Sequence, residues 1–197
     1  MFRKKILLLA ALLMTLGVNA HAATYKVDPD HTSVGFKVRH LFSNVNGQFT
    51  KFDGTVDYEP GKHETWKTAG TIQVDSISTN VEQRDKHLRS PDFFDAEKFP
   101  TITYHSTKVL ESTASAAKLE GLITIHGVEK PIVLEVDIHG SCKDPWGNTR
   151  LGVSAKTKIN RKDFGLTWNK TLETGQLLVG DEVELNLEVE GVLPQQK

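Results

Sequence analysis

The sequence predicts an all-β fold: about eight antiparallel strands with one apolar face, interrupted by one short helical insertion. Three observations carry this reading. Apolar residues recur with period two over most of the chain after residue 22, the breaks between those runs hold turn-forming Gly, Pro, Asn and Asp, and only Ser78 to Pro100 departs from the pattern.

Before the first strand, Arg3, Lys4 and Lys5 precede an apolar run from Ile6 to Leu13 that continues with small interruptions to Val18, and Ala20-His21-Ala22 supplies a small-x-small cleavage site. Residues 1–22 therefore read as a cleavable secretory signal, with an apolar core too short to span a bilayer and no stop-transfer pattern behind it. The mature chain, 23–197, has the length of one domain and contains no internal repeat. Of the 24 basic residues, three leave with the signal, so 21 face 25 acidic residues, a net charge of −4. That balance disfavours nucleic acid and anionic membrane surfaces as partners. Cys142 is the sole cysteine, which excludes an intramolecular disulfide, and no His near it in sequence would activate a thiolate.

The strands follow in order. Thr55 to Tyr58 is one; the others alternate through Val34, Phe36 and Val38; Ile72 and Val74; Ile102 and Tyr104; Leu119, Gly121, Ile123 and Ile125; Ile132, Leu134, Val136 and Ile138; Val153, Ala155, Thr157 and Ile159; and Val183, Leu185, Leu187 and Val189. Pro60-Gly61, Gly127 to Pro131, Asp144 to Asn148 and Gly180-Asp181 read as the turns between them. Short connections imply antiparallel neighbours. Such a sheet buries its apolar face either as a sandwich or by closing into a barrel, and closure also removes exposed edges. A one-residue bulge, expected near Gly54 or Gly121, would flip part of a set to the other face.

Within the insertion, Thr79 to Glu82 fits a capping box and Ser90-Pro91 fits a second N-cap with Pro at the first helical position, so two short helical turns are expected. Arg84, Asp85, Lys86 and His87 bring residue types of acid/base chemistry into four successive positions. On a short helix over a barrel end, such residues form ion pairs that fix a lid; contact with a ligand headgroup and catalysis are the alternatives. Phe93, Phe94 and Phe99 either pin the insertion to the wall or form an apolar gate.

The histidines remaining after cleavage, His31, His40, His63, His87, His105, His126 and His139, show no H-x-x-x-H spacing and no Cys cluster, so no metal site is assigned. The Asp-Phe-Gly within "KDFGL" lacks the other kinase motifs, and no phosphate-binding or nucleophile-elbow motif occurs.

Six stretches, "HTSVGFKVRH", "GQFTKFDGTV", "RDKHLRSPDFFDAEKFPTI", "GLITIHGVEKPIVLEV", "INRKDFGL" and "VGDEVELNLEVEG", occur in this order and together resemble the YceI-like family of bacterial periplasmic proteins over nearly the whole mature chain. The resemblance implies an eight-stranded, lipocalin-like antiparallel barrel in the periplasm whose apolar interior holds a polyisoprenoid or isoprenoid quinone, with no cofactor and no catalytic residue. An isoprenoid suits such a tube, because each buried methylene gains about 0.8 kcal/mol without needing a hydrogen bond. The expected lining is Phe36, Val38, Ile72, Val74, Ile102, Tyr104, Ile123, Ile125, Leu134 and Val136, with Phe93, Phe94 and Phe99 at the mouth. The chain is not expected to span a membrane, and a homodimer is compatible with the reading. Two rivals stand beside it: an enzyme acting on the bound lipid with Asp85, His87 or His40 as base, and a structural barrel filled by its own side chains, to which nine Phe and three Trp could contribute.

Overall fold

The computed structural model describes residues 22–173 and 175–193; the expected signal, except Ala22, lies outside them. Eleven strand segments form one antiparallel sheet: β1 (Ala23–Val27), β2 (Ser33–His40), β3 (Ser43–Phe49), β4 (Phe52–Tyr58), β5 (Lys67–Gln73), β6 (Ile77–Ser78), β7 (Thr101–Ser112), β8 (Ala116–Ile125), β9 (Val128–Lys143), β10 (Thr149–Asn160) and β11 (Val179–Leu193). The only α-helix among the described residues is α1 (Glu82–Arg89).

These segments make eight staves, because three staves are bent. Pro29 has no N–H for the ladder, so the first stave breaks into β1 and β2 around a 3₁₀ turn at Pro29–His31 that Asp28 caps through Asp30 N–H, 3.1 Å. The break at Thr50-Lys51 separates β3 from β4, and a matching turn at Val74–Ser76 separates β5 from β6. β4 pairs with β5 while β3 pairs with β6, so the second and third staves bend together. The sheet then runs through β7, β8, β9, β10 and β11 and closes where Lys26 meets Val192 and Val27 meets Gly191. The fold is an eight-stranded closed antiparallel barrel with one short helix.

Burial alternates strictly along β8, with Ala117, Leu119, Gly121, Ile123 and Ile125 inward, so β8 itself carries no bulge. The shift expected near Gly121 falls on the facing strand, at Thr107 of β7, whereas Gly54 keeps its register with Gly70. Further register shifts lie at Leu110 on β7, at His139 on β9, and between Val179 and Val183 on β11. The last of these contains Gly180-Asp181, which is therefore a bulge inside β11 and not a turn. The expected turn from Gly127 to Pro131 is shorter than predicted: His126 and Gly127, with φ of 52° and 74°, make a two-residue hairpin. Pro131 sits in β9 opposite Leu122, where β9 has already parted from β10 and its missing N–H costs nothing.

The short β1–β11 seam is reinforced by charge. Arg150 on β10 donates to Asp28 at the end of β1, 2.6 Å, to Asp144 in the β9–β10 turn, 2.9 Å, and to Glu190 on β11. Asp28, His31 and Glu190 form the one candidate cation cluster among the described residues, but the guanidinium already supplies the positive charge there. The Arg150 hydrogen bond holds the Asp28 carboxyl below its usual range. At Asp144, desolvation pushes upward but is outweighed by hydrogen bonds from Asn148 and Arg150, and the carboxyl comes down to about 2. Because both folded-state values are depressed, this stabilisation is full above the ordinary carboxylate range near pH 4 and is lost as pH falls toward 2. Arg150→Met is expected to lower the Tm at pH 7 by about 5 °C and to flatten the fall in Tm between pH 4 and 2, read by calorimetry across pH.

Candidate functional site

Inward-facing residues gather into two packed groups with cavities between and beside them. At one end Tyr25, Tyr58, Trp66, Leu119, Leu134 and Leu151 are buried together. Trp66 packs on Tyr58 and His63, with ring centroids 5.1 and 4.6 Å away, and its indole N–H donates to the Glu59 carbonyl, 2.7 Å. This aromatic stack plugs the barrel. At the other end Phe49, Val74, Ile77, Ile102, Ile123, Ile125, Phe164 and Leu166 pack beneath the helix.

One cavity of about 200 Å³ lies along the barrel axis from Trp66 to Phe36 and Ile125, with an almost entirely hydrocarbon wall. A second, of about 490 Å³, continues from Phe36, Phe49, Ile102, Ile125 and Leu185, which line both, to a mouth between α1, the β2–β3 hairpin and the loop after β10. Of the expected lining residues, Ile72, Tyr104, Ile123, Leu134 and Val136 face the first cavity, Val38, Phe93 and Phe94 the second, and Phe36, Ile102 and Ile125 both. The filled-barrel alternative fails on this distribution, because the large aromatics cluster at the two ends and leave the middle open.

Two expected lining residues are elsewhere. Val74 falls at the stave bend, where the 3₁₀ turn interrupts the strand alternation, and is buried in the packed core at 1 % exposure. Phe99 packs on His126, 4.4 Å between centroids, and lies across Gly127, away from both cavities. It pins the insertion to the β8–β9 hairpin.

The insertion leaves the sheet where β6 diverges from β7. Its cap is not the predicted box. The N-cap is Val81, with no side-chain cap, and Thr79 serves a different purpose. Asp85, buried beneath the first turn, accepts from the Thr79 N–H at 2.8 Å and the Thr79 hydroxyl at 2.5 Å. Arg84 in turn donates to the Thr79 hydroxyl and carbonyl, 2.7 and 2.9 Å. Ser90 is the C-cap of α1 and donates to the His87 carbonyl, so the second helical turn expected after it is a run of tight turns.

These pairings decide what the acid/base residues can do. Asp85 is committed to Thr79 and does not line either cavity, whereas His40 and His87 line the mouth. His87 bonds Asp92 at 2.9 Å and meets Phe93 and Trp168 edge-on at 5.0 and 4.9 Å. Of the three candidate bases, Asp85 is thus set apart from the two histidines at the mouth.

Two mouth residues escaped the sequence reading. Arg161, 4 % exposed, donates to the carbonyls of Gly180, Leu166 and Trp168 and pairs with Asp181 at 3.3 Å. Burial pulls its guanidinium below the usual value, against the opposing charge of Asp181. It thereby holds the loop that places Trp168 against Phe93, 5.0 Å. The available signal was local: Asn160 caps the 3₁₀ turn through Lys162 N–H, 3.0 Å, and Gly165 ends it at φ 78°.

Residues 25–191 match the model of the YceI-like domain. This chain belongs to the YceI-like family. It is 42 % identical to the YceI protein of Salmonella arizonae over 192 residues, 96 % of this chain and 95 % of that one. Its structure matches the Campylobacter jejuni YceI protein with a TM-score of 0.70 at 37 % identity, covering 85 % of this chain and 96 % of that one. A polyisoprenoid binding domain from Saccharophagus degradans shares the fold at TM-score 0.63 and 14 % identity, over 88 % and 99 % of the two chains. In this YceI-like barrel the Thr79–Asp85 pairing anchors the helix at the mouth. Asp85→Ala leaves the buried Thr79 N–H unpaired and is expected to cost about 1–3 kcal/mol of stability by denaturant titration, with hydrogen-exchange protection lost chiefly between residues 79 and 90.

Proposed function

We propose that this YceI-like protein is a periplasmic carrier that holds a long-chain isoprenoid lipid or quinone in its barrel. One observation carries the reading: two adjoining cavities with a nearly continuous hydrocarbon wall, plugged at one end by Trp66 and Tyr58 and open at the other beside α1. A wall that offers few hydrogen-bonding groups selects a ligand that needs few. An isoprenoid chain gains about 0.8 kcal/mol per methylene-sized group buried, before ordering and association costs reduce the total. The fold shared with a polyisoprenoid binding domain supports the same ligand class. Binding without catalysis is supported by the partners of the charged residues at and beside the mouth: Asp85 and Arg84 are spent on Thr79, and Arg161 on loop carbonyls. No helix among the described residues is long and apolar enough to cross a membrane.

Lipid identified by mass spectrometry in an organic extract of the purified protein tests the ligand class. Leu134→Asp, which places a charge in the cavity wall, should reduce co-purifying lipid at least about tenfold, because an unpaired charge in an apolar site is strongly disfavoured. Val133→Asp, one residue along and facing outward at 37 % exposure, should leave it within about twofold in a folded protein. Equal retention by the two variants would remove the barrel interior as the binding site. Export is read separately: the protein recovered from the periplasm should begin at Ala23, and a chain that retains residues 6 to 18 would overturn the assignment.

A further inference from the structure

Tyr104 stands where the two packed groups meet, touching both, and lines the axial cavity. Its hydroxyl oxygen is buried, and no protein group lies within hydrogen-bonding distance of it among the described residues. Its ring is held in place from the next strand. Gly121 on β8 lies directly beneath it, and a Cβ there would stand 2.5 Å from the ring, so any other residue would displace the tyrosine. Two strand positions thus cooperate to seat one phenol in the wall of a hydrocarbon tube.

A buried donor without an acceptor is unfavourable, whereas phenylalanine would fill the same volume without that cost. We propose that the Tyr104 hydroxyl is a recognition point for a neutral hydrogen-bond acceptor, a carbonyl, ester or ether oxygen, seated midway along the bound lipid. The proposal rests on the carrier reading above and adds the polarity and position of one ligand group.

The acceptor must be neutral for two reasons. Burial pushes the phenol up to about 12, so it stays a donor throughout the physiological range. The cations along the tube are Lys67, exposed at the far end next to Trp66, and Arg84 and Arg161, which line only the mouth and are already engaged with Thr79 and with loop carbonyls. A phosphate beside Tyr104 would be an uncompensated charge between Ile123, Ile132 and Leu119. A ketone oxygen, by contrast, exchanges a hydrogen bond to water for one to a fixed donor in a dry site.

The test uses delipidated full-length mature protein, a long-chain alkane, and ketones of the same chain length with the carbonyl at the end, a quarter and half of the way along. Affinity is read by displacement of a fluorescent apolar probe. Wild type should bind its best ketone about tenfold more tightly than the alkane, with a clear optimum in carbonyl position. Tyr104→Phe should bind the alkane at least as well as wild type and lose both the preference and the optimum. The infrared carbonyl stretch of the bound ketone gives a second readout independent of the variant: in wild type it should shift to lower wavenumber than in a hydrocarbon solvent. A preference that survives in Tyr104→Phe, or a wild-type protein that ranks ketones and alkane alike with no infrared shift, overturns the proposal while leaving the carrier reading in place. Failure of wild type to take up any of the probes overturns the carrier reading and this inference with it.

Discussion

An antiparallel sheet with a single apolar face has to bring its last strand to its first, and every other feature of this molecule is arranged around how that closure is made. The joining ladder itself is short, two residue pairs between β1 and β11, because Pro29 breaks the first stave just beyond Val27. Closure therefore depends on side chains as well as backbone. Arg150 draws together the end of β1, the β9–β10 turn and β11, and supplies the positive charge that three converging carboxylates require. Beyond the break, β2 takes over the pairing with β11, and the barrel continues to its open end.

Closing the sheet without filling it is the second requirement. A small eight-stranded barrel has an interior that large side chains can plug, and this chain carries enough aromatics to do so. They are placed at the ends. Tyr25, Tyr58 and Trp66 are buried together at one end, while Phe49 packs against Phe36 at 5.8 Å and against Phe94 at 6.0 Å near the other. Glycine keeps the middle open in a complementary way: the Phe36 ring lies over Gly47 and the Tyr104 ring over Gly121, so each aromatic spreads along the wall instead of across the bore. The bends at Thr50-Lys51 and Val74–Ser76 let the staves part near the mouth, and the helix enters where β6 leaves β7.

The polar residues near the opening follow from the same geometry. A helix laid over a barrel end puts some of its charged side chains against the wall, and each of these must find a partner or pay for its desolvation. Asp85 and Arg84 share Thr79, and Arg161 satisfies two loop carbonyls and one in the β11 bulge, so residue types that suggest acid/base chemistry serve as fasteners here. Among the described residues, the Tyr104 hydroxyl, buried in the wall of the tube, breaks this rule of local satisfaction together with one carboxylate oxygen of Glu59, whose other oxygen pairs with Lys62.

The all-β class, the alternating parity of β8 through β11 and the position of the insertion were legible in the sequence, because strand periodicity is a local property of a chain that is polar on one face and apolar on the other. Leu119 and Ile123, and likewise Leu134 and Val136, could be grouped on one face of their strands from alternation alone, and the closed barrel decides that this face is inward. Segments with weak alternation were not legible as strands: β1 and β3, "SNVNGQF" among them, are strands because β2, β4 and β11 pair with them. Val74 was misplaced because a 3₁₀ turn interrupts the strand alternation, and nothing within that segment announces the bend that its neighbour at Thr50-Lys51 imposes. The choice of Thr79 as a partner for Asp85 over a helix cap, the burial of Arg161 and the orphaned hydroxyl of Tyr104 belong to tertiary structure alone. Each depends on which groups from distant strands arrive beside a side chain and shut out water, and residue order within one strand carries no record of that.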